Sequence, residues 1–397
     1  MTEKDVAAAQ EMLRADGLDA WLLYDFHGSN PIAMHLAGLD GDGHMTSRRW
    51  YYLIPATGEP RGLVHAIERQ NLDALPGDKT VYAGREQLDA GLTNMLAGLN
   101  RVAMEYSPNC AIPYLSRLDA GTAESVRARG VEIVSSGDLV QKFAASWTAA
   151  QLETHRLASA ALYRIKDRAF GAAGTALRHG IPLTEYQLQQ QMVHWFAEEG
   201  LVSDSAPVVA VGANAGNPHY LPSATDSLTI GRDQVLLLDL WGKQTSRGAV
   251  FADITWVGVT GTVEARVAAA FAAIVAARDA AVALVTAAAT DGRDLRGWEV
   301  DRVARTVLVD AGFAGQVMHR TGHSLGESVH GNGVHLDDYE TYDDRRVLPG
   351  AGFTIEPGLY FDTFGVRTEI NMFRSSRGAE VTGERQMQLV AVADQTD

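Results

Sequence analysis

Charged residues set inside apolar, strand-like runs constrain this chain more than any other feature. Asp239 interrupts VLLLDLWG, Asp253 interrupts VFADITW, Glu356 follows the apolar start of FTIEPGLY, and Glu369 sits in VRTEINMF. His323 lies near two glycines in HRTGHSLG. An ionised carboxylate taken out of water is costly unless something compensates it. A salt bridge could satisfy one such residue. Four carboxylates and an imidazole in similar settings call for a shared compensator, and a pair of divalent cations is the simplest. The fold must then bring these segments together, and a metal-dependent hydrolase is the expected chemistry.

A chain of 397 residues exceeds one typical core, so two domains are expected. The formal net charge of -15 argues against nucleic acid and anionic membranes as partners, since both reward an excess of Lys and Arg. Cys110 is the only cysteine, which excludes a disulfide framework or a cysteine zinc site within one chain and fits a reducing compartment. Cys110 itself is expected to be a small buried residue. The N-terminal segment reads as a charged helix with no signal-peptide pattern, so a cytoplasmic location is expected. The Ala-rich stretch Val267–Ala289 is about long enough to span a bilayer. Arg278 and Asp279 at its centre favour an amphipathic soluble helix instead.

Residues 1–145 read as an α/β domain with a mixed sheet. Helices are expected at Asp5–Ala15, Glu86–Leu96 and Tyr114–Arg129, and strands at Ala20–Tyr24, Arg49–Pro55, Arg61–His65, Arg101–Met104 and Val131–Val134. Phe26 to Ser47 reads as irregular. From about residue 150 to 397 the pattern becomes α+β. Two helices, the second capped by Thr184, precede strands at Val208–Val211, Gln234–Leu240 and Val250–Val259. Two more helices follow, at Val263–Ala289 and Arg296–Ala311, then strands at Gly352–Ile355, Gly365–Phe373 and Gln388–Val392.

Asp239 and Asp253 flank a polar turn, Gly242–Gly248, so a hairpin would present both carboxylates on one face. Glu356 and Glu369 flank a second turn in the same way. Two such hairpins face to face, with His323 entering from a loop, make one pocket. Oxygen-dominated ligation with one imidazole suits Mn²⁺, with Co²⁺, Fe²⁺ or Zn²⁺ as alternatives. Two such cations would hold a water and lower its pKa toward about 7, giving a nucleophile for amide hydrolysis.

These segments, in order and in context, resemble the catalytic domain of the family that includes methionine aminopeptidase, aminopeptidase P and prolidase. The match covers roughly Pro207–Phe373. The resemblance implies a pita-bread catalytic fold with a dinuclear metal site. The two-domain length resembles the aminopeptidase P, prolidase and creatinase branch, with its creatinase-like N-terminal α/β domain. By the same resemblance, Asp239 is a ligand of one metal, Asp253 and Glu369 bridge, and His323 and Glu356 bind the other. Glu356 also resembles the proton shuttle. His219, in GNPHYLP, looks like a substrate-side histidine, and His319 and His330 look like histidines lining the cleft. Arg367 looks like a cation beside the ligands and within reach of substrate, and Thr255 like a supporting hydroxyl.

Two features depart from the family pattern. Asp239 and Asp253 are 14 residues apart (253 − 239), longer than is usual there, with the extra residues in the turn. After His330 comes Gly331-Asn332-Gly333, where prolidases often carry an acidic residue. The resemblance implies a homodimer acting on Xaa-Pro dipeptides or short Xaa-Pro peptides, as a dipeptidase (prolidase) ahead of aminopeptidase P. A metal-dependent lyase or amidinohydrolase of the same fold is the rival outside the peptidases. In the N-terminal domain, Arg48 or Arg49 beside Trp50 is expected to read the substrate's C-terminal carboxylate, because arginine forks suit carboxylates.

Overall fold

The computed structural model describes residues 1–41, 45–262 and 264–395. The chain divides into two compact units, Met1–Ala144 and Ala145–Asp397.

In the first unit, six strands among the described residues form one mixed sheet. They are β1 (Ala20–Asp25), β2 (Trp50–Pro55), β3 (Arg61–His65), β4 (Asp78–Tyr82), β5 (Arg101–Met104) and β6 (Glu132–Ser135), in the order β4-β3-β2-β1-β5-β6. The pairs β1/β2 and β2/β3 are antiparallel, and β3/β4, β1/β5 and β5/β6 are parallel. Side-chain alternation splits the core in two. Trp21 and Leu23 pack with residues of α1 (Glu3–Ala15) and α2 (Pro31–Ala37). Ala20, Leu22 and Tyr24 pack with α3 (Arg85–Leu96) and α4 (Ala120–Arg127).

In the second unit, α5 being the short Gly137–Val140 helix of the first, the chain continues with α6 (Ala149–His179) and α7 (Glu185–Glu198). Next come β7 (Leu201–Val202), β8 (Val208–Val211), β9 (Val235–Gln244) and β10 (Ala252–Val259), then α8 (Ala265–Asp291) and α9 (Gly297–Asp310). It ends with β11 (Gly352–Ile355), β12 (Gly358–Tyr360), β13 (Gly365–Arg367), β14 (Ile370–Ser375), β15 (Gly378–Val381) and β16 (Val390–Ala391). β9 and β10 form a long antiparallel hairpin, with β7 and β8 on β9 and β16 on β10. Leu236, Leu238, Leu240, Ile254 and Trp256 face α6 and α7. Val235, Leu237, Val257 and Val259 face α8, α9 and the later strands. By the two-residue period, Asp239, Trp241, Asp253 and Thr255 share this second face.

Several expected elements differ. Phe26–Ser47 contains α2, with Asn30 accepting the Ala33 N–H, Pro31 at the first turn and left-handed Gly38 closing it. The expected helix at Tyr114–Arg129 starts only at Ala120, where Asp119 caps it, because Pro113 opens a separate tight turn. The strand read over Gly365–Phe373 is two, β13 and β14, broken at Thr368 and Glu369. Cys110 is exposed, in a turn where it and Asn109 take positive φ. α8 is long and apolar enough to cross a membrane, yet half of its most apolar window is buried inside the unit. It is not amphipathic as expected, because its exposed positions, such as Ala268, Ala269, Ala272 and Ala276, are also alanine. Arg278 on it is fully buried, held by Thr368 Oγ1 and the Gln386 carbonyl.

Candidate metal centre

The two hairpins bring the carboxylates together. Thr255 lies opposite Asp239 and Asp253 opposite Trp241 in the β9/β10 ladder, so both aspartates project from neighbouring rungs. Ile355 pairs with Ile370 and Gly358 with Arg367, which puts Glu356 and Glu369 at the gap between the two ladders. The Glu369 N–H bonds to the Thr255 carbonyl at 3.1 Å, joining this layer to β10. The side chain of Asn371 clamps the backbone of Asp253, accepting its N–H at 3.0 Å and donating to its carbonyl.

His323 is carried by a loop fastened to β11. Its N–H bonds to Thr354 Oγ1 at 2.9 Å, and the Thr354 N–H bonds to the His323 carbonyl at 2.8 Å. Gly322 permits this approach: a Cβ there would lie 2.1 Å from the Thr354 carbonyl oxygen. Asp301 on α9 fixes the same loop by accepting from both N and Oγ1 of Thr321.

Asp253, His323 and Glu369 are buried, each with a donor atom within 4.8 Å of the others. The Nδ1 of His323 faces the Ser324 carbonyl at 3.1 Å, which fixes the hydrogen on Nδ1 in the neutral ring. Nε2 then turns its lone pair toward Glu356 Oε1 at 3.4 Å and Asp253 Oδ2 at 3.6 Å. A lone pair aimed at two carboxylates is repulsive unless a cation lies between them. Asp253 Oδ1 and Glu369 Oε1 are buried and have no hydrogen-bond partner among the described residues. Such orphan oxygens are rare in native proteins and mark a place where an ion or water belongs. The donor set therefore fits divalent cations.

Electrostatics agree. Burial raises the carboxyls of Asp253 and Glu369 well above the usual range, and the neighbouring carboxylates push the same way. Burial lifts Asp239 to about 7 even though Arg367 opposes the shift. Glu356 behaves differently: burial would raise it, but His323, His319 and Arg367 together hold it below its ordinary value. Burial keeps His323 and His319 low, hence neutral near pH 7.

A hydrogen-bonded chain surrounds the cluster. Arg367 donates from Nη2 to Asp239 Oδ2, from Nε to Thr255 Oγ1 at 3.0 Å and from Nη1 to Tyr360 OH at 2.9 Å. Thr255 Oγ1 donates to Glu369 Oε2 at 2.7 Å. His319 Nδ1 bonds to the Arg320 carbonyl, so Nε2 accepts from Tyr360 OH at 2.7 Å. Both nitrogens of His319 are thus engaged. The His330 ring lies 4.4 Å from that of His323. His219 is exposed, in the turn after Asn217. That turn is shaped by buried Glu185, which accepts from Val211 N, Asn214 Nδ2, Tyr220 OH and Leu228 N. Arg48 and Arg49 are exposed residues of the first unit, and residues 42–44 of their loop lie outside the described residues.

Sequence reasoning missed Glu185, Asp301, Thr354, Tyr360 and Asn371. Each acts through a partner distant in sequence; Thr354 and Tyr360 lie inside FTIEPGLY and Asn371 inside VRTEINMF, motifs already singled out, whereas Glu185 and Asp301 lie outside every such motif.

The sequence model of metallopeptidase family M24 matches residues 158–373. The Xaa-Pro dipeptidase of Lactobacillus delbrueckii subsp. lactis is 32% identical over 217 residues, 51% of this chain and 51% of that protein. This match spans about half the length of that relative. A Mycobacterium tuberculosis protein named Probable dipeptidase PepE is 25% identical over 354 residues, 86% of this chain and 84% of that one. The crystal structure of dipeptidase PepE from Mycobacterium ulcerans aligns with a TM-score of 0.68 at 23% identity, covering 98% of this chain and 96% of that chain, a likeness of fold.

Proposed function

Because the chain belongs to metallopeptidase family M24 and has the pita-bread fold, we propose that it hydrolyses the Xaa-Pro peptide bond, with dipeptides as its main substrates. The observation that carries the metal-dependent reading is the buried trio Asp253, His323 and Glu369, with two orphan oxygens and a lone pair converging on one space. The substrate class rests on the Lactobacillus relative, whose name is Xaa-Pro dipeptidase.

In this reading Asp239, Asp253, His323, Glu356 and Glu369 would hold two divalent cations, Mn²⁺ being the best fit to oxygen donors with one imidazole. When bound, the cations polarise the scissile carbonyl and make water acidic enough to attack near neutral pH. Glu356, the only one of these four carboxylates held below its ordinary range, takes the proton at its carboxylate oxygen and passes it to the leaving amine. His330 steadies the developing negative charge, and His219 assists the departing amine. His319 has no free nitrogen, so its part is to position Tyr360 and, through it, Arg367. Arg367 in turn orients Asp239 rather than holding substrate.

The test is the initial rate of proline release from Xaa-Pro and of the first residue from Xaa-Pro-Yaa, with Mn²⁺ and with Co²⁺. Faster dipeptide cleavage supports the dipeptidase, and faster tripeptide cleavage makes the protein an aminopeptidase P. No release from either sinks the reading. The carboxylate-reading role of Arg48 or Arg49 predicts that one alanine variant penalises the dipeptide selectively.

A further inference from the structure

Beyond Asp239, β9 carries a side chain, Trp241, that the chemistry above does not use. β9 runs past Asp239 to Gln244, and its far end pairs with β7 through Leu201↔Gln244 and Val202↔Lys243. β7 ends at Val202 and the chain bends at Asp204, while Trp241 on β9 lies opposite Asp253 on β10. Residues opposite one another in antiparallel strands project to the same face. Trp241 and Asp253 therefore share a face, and with Asp204, which Trp241 contacts, they make a row that ends in the carboxylate cluster. A hydrogen bond fixes the outer end of this row: Trp241 Nε1 donates to Asp204 Oδ1 at 2.7 Å. The Trp241 ring is partly buried, packed beside the cluster of Val250, Phe251 and Leu325. Asp204 is exposed, and its charge reaches both Asp253 and His330.

We infer that Trp241 and Asp204 form the pocket for the side chain of the substrate's first residue, and that this pocket selects lysine or arginine. The inference rests on the peptidase reading. The scissile carbonyl must lie at the cluster, so the side chain beside it points along the row. The indole face carries a methylene stem and the carboxylate meets the cationic head. Methionine, similar in length, keeps the stem contact without the charge pair, and glutamate is repelled.

The test compares Lys-Pro, Met-Pro and Glu-Pro on the Mn²⁺-loaded protein, as wild type, Asp204→Asn and Asp204→Lys. Wild type should cleave Lys-Pro with a kcat/KM about fivefold above Met-Pro, the scale of a part-exposed ion pair, and the ratio should shrink as salt rises. Asp204→Asn should bring the ratio near one, and Asp204→Lys should turn the preference toward Glu-Pro. Calorimetric titration of lysinamide against norleucinamide, which needs no turnover, should give the same preference and the same loss in Asp204→Asn. Cleavage of Met-Pro with no lysine preference overturns the inference and leaves the peptidase reading standing. An equal loss on every dipeptide in Asp204→Asn makes Asp204 a reader of the α-ammonium and also overturns it. Failure to cleave any dipeptide removes both.

Discussion

Replacing Glu369 by glutamine should stabilise the protein without metal and abolish its stabilisation by metal. Glu369, Asp253 and His323 have donor atoms within 4.8 Å of one another, and one oxygen of each carboxylate has no hydrogen-bond partner among the described residues. Two full charges at that separation repel by roughly 3.5 kcal/mol at an effective dielectric of about 20. The raised pKa values mean that the metal-free protein already relieves part of this by binding protons. A net gain of about 2 kcal/mol near pH 8 is therefore expected in Glu369→Gln, roughly 4–8 °C in Tm for a unit of this size. The glutamine carbonyl can still accept from Thr255 Oγ1, so packing is kept. The assay is thermal unfolding of both proteins in chelator and in excess Mn²⁺. Wild type should rise in Tm with Mn²⁺ and the variant should not. A lower Tm for the variant in chelator, or an undiminished Mn²⁺ response, would refute the electrostatic reasoning.

The same carboxyls predict a pH dependence. Asp239, Asp253 and Glu369 are raised in the folded state, so their contribution is full below about pH 4 and is lost as pH rises through the folded values, about 7 for Asp239. In chelator, stability should then fall between pH 4 and 7 by up to about 1.4 kcal/mol per pH unit for each carboxyl titrating, whereas stabilisation by Mn²⁺ should grow over the same range; paired Tm series check this. Gly322→Ala should push the His323 loop off Thr354 and cost at least about 2 kcal/mol together with bound metal, read by Tm and metal content. Glu185→Ala strands four donors and should cost about 2–4 kcal/mol. It should lower kcat/KM through the His219 turn and leave metal stoichiometry unchanged.

The chain itself determined much of the site. Continuous apolar runs around Asp239 and Asp253 marked those strands locally, and the side-chain period of two lets one hairpin register put both carboxylates on one face. The Asn30-Pro31 start and Gly38 stop of α2 were also written locally, although the surrounding glycines masked them. Other features depended on residues remote in sequence. The tautomer of His323 is set by the Ser324 carbonyl, but what its Nε2 faces is set by strands that begin far away. The break between β13 and β14 arises where Glu369 leaves its own ladder to bond Thr255 on β10, which no local propensity encodes. Tyr360, Asn371 and Asp301 gained their roles only through partners brought close by folding. Sequence determined which residues are costly to bury, because burial cost belongs to the side chain. Tertiary structure decided which of those costs remain unmet, because compensation belongs to the neighbours.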